Sequence, residues 1–179
     1  MKKVLLIEDS EKAIEAAKSA AKELGVELKI AKTLKEAEGA LKESYDAIFV
    51  DAFFPYDERK PQELQEDENY KKFVGSFLDK ISGYKMVEID RVVGALAGKS
   101  LEVPLGLSLA EMLKGKNVML TSAYDHHKKE PGLDMSKVID YCKDKGIPFY
   151  IEDYPSKSQE NPKYSASYWK KVMKEKLKL

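Results

Sequence analysis

KVLLIE, residues 3–8, is a short apolar run ending in a carboxylate, and Asp9 follows as a second one. A strand buried on both faces and opening onto a polar edge has this pattern. A helix is expected directly after it. Ile14, Ala17, Ala21 and Leu24 recur at helical spacing and Gly25 supplies the stop, which predicts an amphipathic crossover helix over 11–24.

The same unit then repeats. VELKIA (26–31) reads as a second strand, Thr33 and Glu36 as a capping box, and Leu34, Ala37 and Leu41 as the buried stripe of a second helix. YDAIFVD (45–51) is a third strand ending at Asp51. NVMLTS (117–122) follows a helix near 105–114, and IPFYIE (147–152) follows a helix near 134–145. A last helix is expected over 165–176, burying Tyr168 and Val172, with Trp169 a further candidate. Five strands alternating with helices imply an α/β fold with a parallel sheet covered on both faces. The expected architecture is flavodoxin-like: a doubly wound five-stranded parallel sheet in the order 2-1-3-4-5.

Residues 56–103 break this rhythm with a charged stretch, a helical pattern around 68–82 and another around 86–97. Ordinary strand-to-helix connections run about 2–6 residues, so this is read as a helical insertion after the third strand, within a single domain spanning 1–179. Tyr70, Phe73, Phe77, Leu78 and Ile81 are expected to cover the parent domain, the other reading being a groove for a partner.

Lys+Arg and Asp+Glu both number 31 in the 179 residues, so no basic field exists to recruit nucleic acid or anionic lipid. Cys142 is the single cysteine, nothing resembles a signal peptide, and no apolar run approaches the roughly 20 residues that span a bilayer. A cytoplasmic protein is expected, with no direct contact to nucleic acid or membrane.

In an open parallel sheet, ligands bind outside the carboxyl ends of the strands, near the point where strand order reverses. Glu8 and Asp9 end the first strand and Asp51 the third, which are neighbours in the expected order. Three carboxylates on one edge repel unless a cation or proton intervenes, and an all-oxygen cluster with water access suits Mg²⁺. The alternative is a set of solvated loop acids.

VLLIEDS resembles the first-strand acidic pair of response-regulator receiver domains, and FVDAFFP resembles their phosphoacceptor segment, an Asp followed four positions later by Pro, here Asp51 and Pro55. VMLTSA resembles their fourth strand ending in Thr or Ser, here Thr121. The resemblance covers 1–55 and about 104–155, and PLGLSLAEML looks like the segment that follows the phosphoacceptor loop, so the insertion lies inside that loop. It implies a two-component signalling domain in which Asp51 is the phosphoacceptor. Mg²⁺ would be held by Asp9, Asp51, the backbone carbonyl of Phe53 and, through water, Glu8. The Thr121 hydroxyl would bond the acyl phosphate and act as the switch, and a histidine kinase or another signalling protein would be the partner.

Two departures stand out. Receivers carry a Lys at the end of the fifth strand, whereas this chain reads FYIEDYPS, with Glu152 or Asp153 in that region and Lys157 the nearest cation downstream. Residues 156–164 read as a flexible loop. Secondly, YDHH (124–127) follows the fourth strand. His126 or His127, if turned toward Asp9, Asp51 and Asp125, would shift the preference toward a transition metal; otherwise both are exposed loop residues.

Three functions compete: a receiver that binds metal and is phosphorylated on Asp51, a phosphorylation-independent interaction module, and a metal-dependent hydrolase using the acidic cluster with His126 and His127. The first two are not enzymes in the ordinary sense. Phosphatases of the haloacid-dehalogenase type need a second Asp two positions after the nucleophile, and Phe53 stands there instead. No Gly-rich phosphate loop or Ser-His-Asp order supports a nucleotide or acyl-transfer enzyme.

Overall fold

Period-two alternation along the strands divides the interior into two cores. Val4, Leu6, Ala47, Phe49 and Met119 point to one side, and Leu5, Ile7, Ile48, Val50, Val118 and Leu120 to the other. Side chains alternate across a strand, so apolar runs of this kind require cover on both faces. The computed structural model describes residues 1–52, 54–59, 61–82, 105–123, 135–152 and 161–179. Its strands are β1 (Lys3–Ile7), β2 (Glu27–Ala31), β3 (Ala47–Asp51), β4 (Val118–Ala123) and β5 (Phe149–Glu152). They form one sheet in the order β2-β1-β3-β4-β5, every pair parallel. This is the flavodoxin-like order expected from the sequence.

Helices α1 (Glu11–Leu24) and α7 (Ala166–Leu177) cover the first face. The α1 contact is alanine-rich, with Ala13, Ala17, Ala20 and Ala21 buried beside Ile14, and Gly25 ends the helix at φ 65°, where a side chain would be strained. In α7, Trp169, Val172 and Met173 form the buried i, i+3, i+4 stripe, while Tyr168 is only partly buried. Trp169, not Tyr168, is thus the aromatic residue that enters the core. The helix begins at Ala166 after Ser165, and this phase turns the indole to the sheet.

The second face is covered by α2 (Leu34–Ala40), the described part of the insertion, a 3-10 turn over Leu105–Leu109 running into α5 (Ala110–Leu113), and α6 (Met135–Asp144). The expected α-helix near 105–114 is thus mostly 3-10. Gly106 donates its N–H to the Ala52 carbonyl at 3.1 Å, and a Cβ on it would lie 2.5 Å from the Asp51 carbonyl oxygen. The tighter winding accommodates that backbone approach. At the start of α2, Thr33 Oγ1 accepts from Glu36 N as expected, but the Glu36 carboxylate takes the N–H of Lys32 rather than of Thr33.

In the insertion, α3 (Pro61–Glu66) and α4 (Glu68–Ser82) put Leu64, Tyr70 and Val74 into the same core as Val50 and Leu120, with Phe73 packed partly buried against it. Burying a side chain of this size contributes about 1.5–3 kcal/mol toward holding the segment to the sheet. Its root is clamped twice. Leu34 N and Lys35 N donate to the carbonyls of Pro55 and Tyr56, and the buried Asp57 accepts from Arg59, which also bridges to Asp67 at 2.7 Å. The side chains of Phe77, Leu78 and Ile81, and the helical pattern at 86–97, lie outside the described residues.

Candidate functional site

The site follows from the same alternation. Glu8 continues the series Val4, Leu6 and Asp51 the series Ala47, Phe49, so both carboxylates are turned to the α1/α7 face where their strands run out. Glu8 N donates to the Ala31 carbonyl at 3.0 Å, which extends the β1–β2 pairing by one residue and buries the glutamate to 2% exposure. Asp9 stands at the exposed lip. Thr121 lies opposite Asp51 in the β3–β4 register and is buried, its Oγ1 donating to the Val50 carbonyl at 3.4 Å. Oxygens of Glu8, Asp9 and Asp51 all lie within 4.8 Å of one another, so the sequence-derived carboxylates do converge.

A cation that the sequence reading did not single out completes the cluster. Lys163 sits in a 3-10 turn, Pro162–Tyr164, just before α7, and is only 3% exposed. Its Nζ donates to Glu8 Oε2 at 2.9 Å and lies 2.9 Å from Asp51 Oδ2. Residues 161–164 are therefore an ordered turn, not the flexible loop expected over 156–164. Asn161 accepts from Lys163 N at 3.0 Å and Pro162 opens the turn, the residue types that begin a helical segment. The turn was legible in that Asn-Pro pair. The burial of its lysine was not, because Lys in a polar stretch reads as solvated.

Glu8 uses both oxygens, Oε1 accepting from Ser10 N at 3.1 Å and Oε2 from Lys163. Burial, reinforced by the Asp51 charge, pushes its pKa up to about 7, with Lys163 pulling the other way. Burial and Asp51 also raise Asp9. Burial pulls the Lys163 ammonium down, but Asp51 and Glu8 outweigh it and hold its pKa above the ordinary lysine value. Three carboxylates thus face one ammonium, and an all-oxygen donor set with one open side fits a hard divalent cation such as Mg²⁺.

Phe53, whose carbonyl was an expected ligand, lies outside the described residues, as do Asp125, His126, His127, Asp153 and Lys157. Among the described residues no helix is long and apolar enough to cross a membrane.

No protein-family model matches the chain, and no curated protein does. Among solved structures it is similar to a response regulator from Thermotoga maritima, at 14% identity over 100% of this chain and 99% of that one, with a TM-score of 0.46. It is similar also to the chemotaxis response regulator CheY4 of Vibrio cholerae, at 13% identity, 99% of each chain and a TM-score of 0.48. A third is the phosphorylated cyanobacterial phytochrome response regulator RcpA, at 15% identity over 97% of this chain and 91% of that one, also at 0.48. These are response regulators, the class whose receiver motifs the sequence resembles; the fold assignment itself rests on the strand order and register.

Proposed function

We propose that the chain is a receiver-type signalling domain in which Asp51 accepts a phosphoryl group and Glu8, Asp9 and Asp51 hold a divalent cation, Mg²⁺ by the chemistry of the donors. The observation that carries this reading is the Lys163 ammonium, 2.9 Å from both Asp51 and Glu8, supplied from the turn before α7 in place of the fifth-strand lysine. An Asp51 oxygen attacks phosphorus, the bond from phosphorus to the donor's leaving atom breaks (an imidazole nitrogen in phosphohistidine, the acyl oxygen in acetyl phosphate), and that atom departs with the electron pair. Phosphoryl transfer depends mostly on positioning and charge neutralisation, and here the charge to be matched is that of the new phosphoryl oxygens. Lys163 lies where it can turn from the carboxylate to those oxygens, and the Thr121 hydroxyl is next in register to bond them. A bound Mg²⁺ would supply further positive charge at the same edge. Glu8, besides contributing to the cation through water, is the counterion and anchor of Lys163.

The donor expected in the cell is a phosphohistidine protein of the histidine-kinase type, and the response passes to a partner through the surface around Asp51. The test is incubation with Mg²⁺ and acetyl phosphate followed by intact mass, with Asp51→Asn as control. A single phosphoryl adduct, absent from the variant, supports the reading. No adduct from a folded protein that binds Mg²⁺ overturns it in favour of an interaction module.

A further inference from the structure

Lys163 is held at three points, and one of them has no counterpart in the chemistry above. Its N–H is bonded by Asn161, its ammonium by Glu8 and Asp51, and its carbonyl accepts the indole N–H of Trp169 at 2.7 Å. Trp169 is fully buried and is the only tryptophan in the chain. Its ring meets Phe49 edge-to-face, with centroids 5.9 Å apart and planes at 87°. Phe49 is two residues before Asp51 on the same face of β3. The indole therefore touches, on one side, the strand that carries the carboxylate and, on the other, the backbone of the residue that carries the ammonium. A lysine on a strand would be placed by the sheet ladder; this one is on a short turn, and a buried side-chain bond takes over that task.

We propose that Trp169 is a positioning residue, fixing the Lys163 backbone through its N–H so that the ammonium is delivered between Glu8 and Asp51. The reactivity of Asp51 toward phosphodonors depends on it, a statement that rests on the function proposed above. The placement of Lys163 does not rest on that function and can be tested separately.

Trp169→Phe removes the N–H and keeps an aromatic ring in the core. The first readout is the rate at which a water-soluble amine reagent labels Lys163, followed by peptide mass spectrometry. Lys176 on the same helix is the internal control, since its Nζ donates to the Val118 carbonyl at 2.9 Å. Loss of one buried hydrogen bond is expected to speed Lys163 labelling about five- to tenfold while Lys176 keeps its wild-type rate. Equal acceleration of both lysines would mean that Trp169 merely holds α7 in place, and no acceleration of Lys163 would mean that the bond does not place it; either overturns the proposal. Should the variant fail to fold, the lone indole N–H resonance of the wild type serves instead. It is expected to shift in Lys163→Met and in Asp51→Asn, and an unmoved resonance in both refutes the coupling.

The second readout is phosphorylation. The adduct is expected to form about five- to tenfold more slowly in Trp169→Phe at unchanged Mg²⁺ affinity. A wild type that forms no adduct refutes the function and leaves the labelling result to judge the placement. A wild type and variant that react equally fast refute the positioning role alone.

Discussion

Lys163 donates to Glu8 at 2.9 Å across 155 residues of chain, and both side chains are almost wholly buried. A charge taken out of water is tolerated when its partner and further hydrogen bonds are in place, and here Ser10 N and Asp51 supply them. The pair joins the first strand to the turn before the last helix. It closes the site from the α1/α7 side and leaves Asp9 at the open lip.

Lys163→Met removes the ammonium that faces Glu8 and Asp51. Removing one member of a buried pair typically costs about 3–5 kcal/mol, and that loss is expected in urea unfolding at neutral pH without divalent ions. Glu8 has a folded-state pKa raised above its unfolded value to about 7, so its ionisation opposes folding as pH rises from its unfolded value through 7. The penalty of the variant is therefore expected to shrink as the pH is lowered from 8 to 6. Saturating Mg²⁺ is expected to raise the variant's own stability by binding its folded state. Variant and wild type of equal stability at pH 8 would show that the pair contributes nothing.

Asp9→Asn acts at the exposed side of the cluster, so stability should change little. Divalent affinity, measured by calorimetry, is expected to fall by more than about tenfold, since one of three charged donors is lost. Unchanged affinity would remove Asp9 from the ligand set.

Gly106→Ala places a methyl where the Asp51 carbonyl oxygen already is, at 2.5 Å. The obstacle is backbone, which cannot rotate away, so a loss of about 1–3 kcal/mol is expected, accompanied by slower adduct formation as Asp51 is displaced. Gly39→Ala is the control. Its new Cβ would meet nothing within 4 Å and it lies in α2, so a gain of about 0.5–1 kcal/mol is expected. Thermal unfolding that ranks the two variants the other way would contradict the close approach at Asp51.

Asp57 anchors the insertion. Arg59, by hydrogen bonds from its side chain, outweighs burial and lowers the Asp57 pKa to about 2. A carboxyl depressed in the folded state contributes stability above its unfolded pKa and loses it as pH falls toward the folded one. Between about pH 4 and 2 roughly 2 kcal/mol should therefore disappear. Asp57→Asn should show the same loss at pH 7, read as faster hydrogen exchange in 54–59 and at the start of α2. Exchange as slow as in the wild type would show that the backbone bonds to Pro55 and Tyr56 suffice as the clamp.

Much of this could be read locally. The α1 span, the stop at Gly25, the helix at 68–82 and the carboxylates ending β1 and β3 follow from periodicity and cap residues acting within a few positions of one another. Thr121 was legible for the same reason, as the polar end of an apolar strand. The winding at 105–109 was not, because it answers to the Asp51 carbonyl, which is remote in sequence. Nor was the preference for Trp169 over Tyr168, which depends on the phase at which α7 meets the sheet.

Lys163 marks the boundary most sharply. Nothing in NPKY (161–164) distinguishes its lysine from the many exposed ones, since local pattern reports the polarity of a residue and its secondary structure but not the charge it will face. The strands' alternation was enough to turn Glu8 and Asp51 to one face. The ammonium came to them through the docking of the last helix on that face, a long-range packing event in which the buried indole, the buried Glu8 and the partly buried Asp51 supply the partners that the lysine's burial requires.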